Sequence, residues 1–561
     1  MRIRYLFHIA NNRYTASVIL KWLWHAWKGN RLQATLNALL GLLGVTVSLW
    51  QVWAVQHAID VASHAVDGSI YWAVALMGGL VLCDFAISIS GVWIRNILGI
   101  RAQNRMQQKM LDRILRSEWR GKDKLHSGDV INRLENDVDN VVVFLTETIP
   151  NTLSVMALFF GAFFYLFSMD KLLSVVVVVI LPLFLLISRL YVNHMRRLTR
   201  EVRDHDSKVQ SMLQETVQHR MLIKTMEGIS MVVERLEGMQ RELQQKVVKR
   251  TTFSIFSNMA INFGFVSGYL IAFLWSALRM SAGTLTFGGM TAFLQLVNKI
   301  QGPARNLTRL VPQFVSVFTA AERLMELEEN PVEEQGEPVM LKSPCGIRLE
   351  GVSFMYTDRD SGHSNRLVLQ DLSFDFRPGS CTAILGETGA GKTTLVRMML
   401  ALLKPQQGKV EIYSGEYHHT LSPCHRCNLV YVPQGNTLLS GTIRDNLRLG
   451  RMTASEEEMR QALHVACADF VMDLPQGLDT LCTESGGGLS EGQAQRIAIA
   501  RALLREGSVM LFDEATSALD PETERQLLEN ILENHDKTVA FITHRPAVVD
   551  FCDQVLRVKR I

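Results

Sequence analysis

Residues 386–393 read GETGAGKT, and residues 509–514 read VMLFDE. The first run follows a strand-like CTAIL and precedes a helix-like TLVRMMLALL, which is the context a P-loop requires. Gly386 and Gly391 permit a tight turn, so backbone N–H groups from Thr388 to Thr393 can point at phosphate oxygens. The helix N-terminus adds the positive end of its dipole. Gly386, Glu387, Thr388, Gly389, Ala390, Gly391, Lys392, Thr393 and Thr394 are therefore the candidate phosphate-binding residues. Lys392 is expected to reach the β- and γ-phosphates, and Thr393 to ligand Mg²⁺. VMLFDE reads as a buried strand ending in two carboxylates. Asp513 is placed to hold Mg²⁺ through water. Glu514, next in line, is expected on the other side of the strand, facing an attacking water as general base. Two acids that merely end a strand are the bland alternative.

These loops need a sheet to hold them. From about residue 346 to 561 the chain alternates short β-like runs with helical ones, the pattern of an α/β domain. Residues 326–345 carry six Glu and three Pro and read as a linker. Residues 1–325 have different physics. Six stretches, near 33–56, 71–93, 141–167, 171–193, 254–278 and 285–307, are long and apolar enough to cross a bilayer as helices. The last is the weakest, because it carries Gln295, Asn298 and Lys299. Lys and Arg number six in residues 1–31, none in 56–70, ten in 94–139 and twelve in 194–253. That alternation puts both termini in the cytoplasm. The two long basic stretches have few Gly or Pro and keep helical periodicity, so the spans are expected to continue as helices well beyond the membrane. Ahead of the first span, Trp22, Trp24 and Trp27 beside Lys21 and Lys28 suit a helix at the membrane surface; the first turn of the span itself is the alternative.

Composition agrees with a membrane protein. Of 561 residues 48% are hydrophobic and the mean hydropathy is +0.10. With 58 Lys and Arg against 55 Asp and Glu, the charge is too balanced to favour nucleic acid as a partner. Eight scattered cysteines suit a reducing compartment and no disulfide framework. Cys424-His425-Arg426-Cys427, with His418 and His419 nearby, looks like half a metal motif. No second such pair follows, so free thiols in a loop are the expectation.

A further motif, LSEGQAQRIAIARALL at 489–504, together with the P-loop, VMLFDE and their order, resembles the ATP-binding cassette (ABC) exporter family over essentially the whole chain. The resemblance implies an α-helical polytopic membrane domain of six transmembrane helices, followed by an α/β P-loop NTPase domain of the ABC type. It implies ATP and Mg²⁺ as cofactors and an ATPase coupled to transmembrane movement of a substrate. By resemblance Tyr356 stacks on adenine, Gln434 binds Mg²⁺ and senses the γ-phosphate, and His544 contacts the γ-phosphate beside the catalytic Glu514. Asp520 carries communication between two cassettes. Ser490, Gly492 and Gln493 of the signature cover the ATP of a partner cassette, acting in trans. The segments 127–141 and 213–226 resemble those around two coupling helices. The signature departs from the family at Glu491, where a glycine is usual; a carboxylate aimed at the phosphates would repel them, and an outward-pointing one would not.

One set of motifs and six spans make half a transporter, which must dimerise with a second copy or a related chain. The expected cargo is a small amphipathic, lipid-like or peptide molecule leaving the cytoplasm, across a cell membrane of bacterial type. Asp84, near the middle of the second span, is a candidate for the substrate path. An ionisable group there is a functional hypothesis by default, although a carboxylate paired with another helix is the alternative. Asn258, Asn262, Gln295 and Asn298 could also line a polar path. Competing readings are a nucleotide-gated sensor or regulator that does not pump, and an importer built on the exporter fold.

Overall fold

The computed structural model describes residues 14–29, 31–119, 127–334, 336–342, 344–356, 366–483, 488–533 and 536–561. Among the side chains left out are those of helical residues 177–193. The described residues of Met1–Leu111 and Gly128–Leu327 form one compact unit, and those of Asp112–Ser127 and Glu328–Ile561 another.

The first unit is helical. A short helix, Ala16–Ala26, buries Ile19 and Leu23 and leaves Trp24 exposed. A turn at Trp27–Gly29 separates it from Arg31–Ala62, so the tryptophan segment is a helix of its own and not the first turn of the span. Long helices follow at Arg31–Ala62, Ile70–Leu115, Lys171–Gln218, Ile229–Ser281 and Phe287–Glu328. Another runs through Ser127–Met169 with two π-helical turns, Arg133–Asp137 and Phe144–Thr148. A 46-residue helix such as Ile70–Leu115 is about 69 Å long, more than twice a bilayer core, so it must project beyond the membrane. Among the described residues four segments are long and apolar enough to span: Ala34–Ala62, Ile70–Leu115, Gly128–Met169 and Asn262–Ser281. The expected fourth span falls largely on the side chains outside the description. The expected sixth falls on Phe287–Glu328, which Gln295, Asn298 and Lys299 make more polar.

Polar clasps join these helices. Arg133 donates to Asp129, to the Arg323 carbonyl and to Glu326, while Arg323 reaches Asp129 and Asp137. Asp170 accepts from the Leu173 N–H and Trp275 Nε1, with Arg279 at 3.2 Å. Between Lys171–Gln218 and Ile229–Ser281 lies the short helix Arg220–Thr225, with Met221 and Met226 exposed. This is where the second coupling-type segment was expected. The first, 127–141, is helical from Ser127 onward, and residues 120–126 lie outside the description.

The second unit is built on two sheets. β1 (Gly346–Tyr356), β2 (Arg366–Phe376), β4 (Gln407–Ser414) and β5 (Tyr417–Thr420) form an antiparallel sheet in the order β2-β1-β4-β5. β3 (Cys381–Leu385), β6 (Leu429–Val432), β9 (Val509–Asp513), β10 (Thr538–Ile542) and β11 (Gln554–Arg557) form a parallel sheet in the order β11-β3-β10-β9-β6. β9 and β10 are buried along their whole length, as expected of parallel strands covered on both faces. Alternate residues serve the two faces. Met510, Phe512, Val539 and Phe541 pack with Ala494, Ile497 and Ala500 of helix Glu491–Leu503. Val509, Leu511, Ala540 and Ile542 pack with Leu395, Val396 and Met399 of helix Lys392–Met399. A minor ribbon pairs β7 (Gly441–Thr442) with β8 (Leu481–Cys482).

Candidate nucleotide site

The parallel strands determine where the chemistry converges. GETGAGKT leaves the carboxyl end of β3, Gln434 follows β6, Glu514 follows β9 and His544 follows β10. These four strands are consecutive neighbours in the sheet, so the loops share one edge, where ligands bind in open α/β sheets.

In the loop after β3, Gly391 adopts φ +102°, a left-handed conformation that favours glycine, and a Cβ there would lie 2.9 Å from Val368. That turn starts helix Lys392–Met399, whose free N–H groups open onto the loop. Glu387, Thr388, Gly389 and Thr393 are exposed, whereas Ala390, Lys392 and Thr394 are buried. Lys392 Nζ donates to the Gly386 carbonyl at 2.6 Å and lies 2.9 Å from His544 Nε2. An ammonium only donates, so Nε2 is the acceptor and the imidazole proton sits on Nδ1. His544 Nε2 is also 3.4 Å from Glu514 Oε1, held there by position rather than by a hydrogen bond. Gln434 Nε2 donates to Glu514 Oε2 at 2.8 Å. Lys392, His544, Glu514 and Gln434 thus form one polar chain across the strand ends.

Glu514 does not owe its direction to strand alternation. β9 ends at Asp513, and Glu514 turns off it with φ +51° while its N–H bonds the Ile542 carbonyl. A left-handed glutamate is a strained residue. Asp513 stays in the sheet, buried, and accepts from Tyr431 Oη at 3.3 Å. Burial raises its pKa above the ordinary aspartate value, and nearby Glu514 pushes the same way against Tyr431, Lys392 and Arg397. Tyr356, at the end of β1, places its hydroxyl 3.2 Å from Thr394 Oγ1 and its ring edge-on to Phe354.

Ser490 caps helix Glu491–Leu503. It accepts from the Gln493 N–H at 3.2 Å, and the Gln493 side chain accepts from the Ser490 N–H at 2.9 Å, a reciprocal box. Glu491 is the exposed first residue of that helix, where a negative charge suits the dipole. A Cβ at Gly492 would meet the Ala518 carbonyl at 2.8 Å, so only glycine lets this turn lie against the loop after β9. Asp520 caps helix Pro521–Leu532 by accepting from the Thr523 N–H, and these contacts hold its carboxyl below the ordinary value.

Two positioning residues escaped the sequence reading. The buried Gln495 accepts from the Ala518 N–H. Arg545 donates to the Ser517 and Leu519 carbonyls and to Glu524 at 2.7 Å. Together they tie the loop between Glu514 and Asp520 to the signature helix and to β10. Arg545, beside His544, gave a signal only by adjacency; Gln495, a polar residue at a core position of its helix, gave one only by breaking the pattern. The thiol cluster has ordinary partners: Cys427 Sγ contacts the Val339 carbonyl and His425 Nδ1 lies 3.0 Å from Ser422 Oγ. In the membrane unit Asp84 is half-buried, with Lys299 of Phe287–Glu328 in electrostatic reach.

A P-loop on a parallel sheet, with a carboxylate pair after a neighbouring strand, defines a nucleotide-hydrolysing domain, here fused behind a helical membrane unit. The model of the ABC transporter transmembrane region matches residues 35–304, and that of the ABC transporter domain matches 369–517. Over 546 residues the chain is 28% identical to the ATP-dependent lipid A-core flippase of Bordetella avium, covering 94% of this chain and 89% of the flippase. It is 33% identical over 324 residues to the mitochondrial iron-sulfur clusters transporter ATM1 of Kluyveromyces lactis, covering 56% of this chain and 44% of that protein. The structure of a bacterial Atm1-family ABC exporter with ATP bound shares the fold, with a TM-score of 0.75, 23% identity and coverage of 94% of this chain and 93% of that one. The chain belongs to the ABC transporter family, as a half-transporter with the fused exporter architecture. It is a multi-pass membrane protein whose cassette binds nucleotide and couples ATP hydrolysis to transport, and its architecture requires a dimer.

Proposed function

We propose that two such chains, identical or related, form an exporter that moves a small amphipathic, lipid-like or peptide molecule out of a bacterial cytoplasm. The observation that carries the reading is the polar chain Lys392–His544–Glu514–Gln434 across four neighbouring strand ends. Tyr356 offers its ring to adenine. The loop N–H groups from Thr388 to Thr393 and Lys392 hold the phosphates. Thr393, Asp513 and Gln434 present hard oxygen donors, the chemistry Mg²⁺ prefers, so this donor set fits the ion. Mg²⁺ bound there would neutralise charge on the β- and γ-phosphates.

Glu514 acts as general base, taking the proton of a water held in line with the γ-phosphate. His544 positions that water and the γ-phosphate, and Gln434 orients the Glu514 carboxylate. Ser490, Gly492 and Gln493 cover the ATP of the facing cassette, and Asp520 lies at the junction between cassettes. Closure of two cassettes on ATP draws the long helices together and opens the spans outward; hydrolysis resets them. Likeness to a lipid A-core flippase supports a lipid-like cargo. Substrate-stimulated ATPase activity that disappears in Glu514→Gln tests the reading. Stimulation that survives the substitution overturns it.

A further inference from the structure

Three polar side chains come near one another inside the membrane unit. Gln51 Nε2 of Arg31–Ala62 donates to the Leu80 carbonyl of Ile70–Leu115 at 3.3 Å, which sets the register of these two helices. The two are joined end to end by the short turn at residues 63–69 and run in opposite directions. One turn inward from Gln51 on the first helix is Ser48; one turn inward from Leu80 on the second is Asp84. Lys299, from Phe287–Glu328, bonds the Ser48 hydroxyl. Counting from the helix ends at Ala62, Ile70 and Phe287, all three residues lie about 20 Å along their helices, at one depth. Ser48, Asp84 and Lys299 are each half-buried, neither sealed in the bundle nor fully open. Asp84 and Lys299 are in electrostatic reach but make no direct ion pair among the described residues. Two opposite charges at this depth are costly unless each is compensated, and these two do not compensate each other by direct contact.

We infer that Asp84 and Lys299 are the two poles of a split-charge site, which takes the headgroup of a zwitterionic amphiphile with its ammonium toward Asp84 and its anionic group toward Lys299. This rests on the export reading and narrows its cargo. A purely cationic cargo, which Asp84 alone would suggest, would meet Lys299 as a like charge, and a purely anionic one would meet Asp84.

The test is binding of three dodecyl amphiphiles to the full chain in maltoside micelles without nucleotide: dodecylphosphocholine, dodecyltrimethylammonium and dodecyl phosphate. The unaltered chain is expected to prefer dodecylphosphocholine. Asp84→Asn should lose about tenfold in its affinity for it and turn to dodecyl phosphate. Lys299→Gln should lose as much and turn to dodecyltrimethylammonium. The exchanged pair Asp84→Lys with Lys299→Asp should recover the zwitterion, which guards against a variant that fails to fold. The same rank order in both single variants overturns the inference, as does failure of the exchanged pair to bind while its thermal transition is intact. ATP turnover of the unaltered chain beside Glu514→Gln is read separately. Loss of Glu514 dependence there strikes the export reading, whereas unchanged head-group preference strikes only the split-charge site.

Discussion

Glu514 sits in a left-handed backbone conformation that glutamate adopts only when its surroundings impose it. What imposes it is the N–H bond to Ile542 on one side and the bond of the carboxylate from the Gln434 amide on the other. Glu514→Gln keeps the shape and removes the base. It should retain ATP binding and lose about 10²–10⁴ in turnover, read by nucleotide binding and phosphate release on the same preparation. At Gly492 the constraint is steric. Gly492→Ala drives a methyl group onto the Ala518 carbonyl, and the expected cost is about 1–3 kcal/mol of stability together with lost turnover, measured by thermal unfolding and ATPase assay. Asp520 supplies a pH test. Its carboxyl is held below the ordinary value of 3.8 by the backbone and side-chain bonds of Thr523, so the cap stabilises the fold above that value and fails as pH falls through the lowered one. The melting-temperature difference between the unaltered chain and Asp520→Ala should therefore be full near neutrality and shrink below pH 3.8; a pH-independent difference would contradict the cap.

Among the elements, those with a local signature were legible. GETGAGKT and VMLFDE announce a turn and a strand end within a few residues, and the structure has them there, whereas LSEGQ was legible only by resemblance and proves to be a helix cap. The long helical extensions were legible because periodicity persists where Gly and Pro are scarce. What escaped depends on partners distant in sequence. Nothing near Arg545 says that its guanidinium will clamp the 517–519 carbonyls and Glu524, and nothing near Asp84 names Lys299, some two hundred positions away. Glu514 was assigned its direction by alternation, yet a backbone turn provides it. Arg545 gives the prediction at this scale. Glu524 is almost fully buried, so Arg545→Ala leaves a buried carboxylate unpaired and should cost roughly 3 kcal/mol, lowering the thermal transition of the full chain. Arg545→Ala with Glu524→Gln should recover part of that loss; no recovery would mean that the backbone clamp alone matters.

At the scale of the molecule, one P-loop and one signature on each chain make a motor only when two chains meet. The signature helix and the loop from Glu514 to Asp520 are fastened together by Gln495 and the close approach at Gly492, while Arg545 ties the same loop to the end of β10, so a movement of the signature must move that loop with it. That is a physical basis for coupling closure of the dimer to hydrolysis. The central claim is that Glu514 drives ATP turnover at such a site. The most direct measurement is ATPase activity of the dimer in lipid nanodiscs beside its Glu514→Gln counterpart. The account predicts turnover in the first and near-complete loss, with ATP still bound, in the second. Equal turnover in both would contradict it.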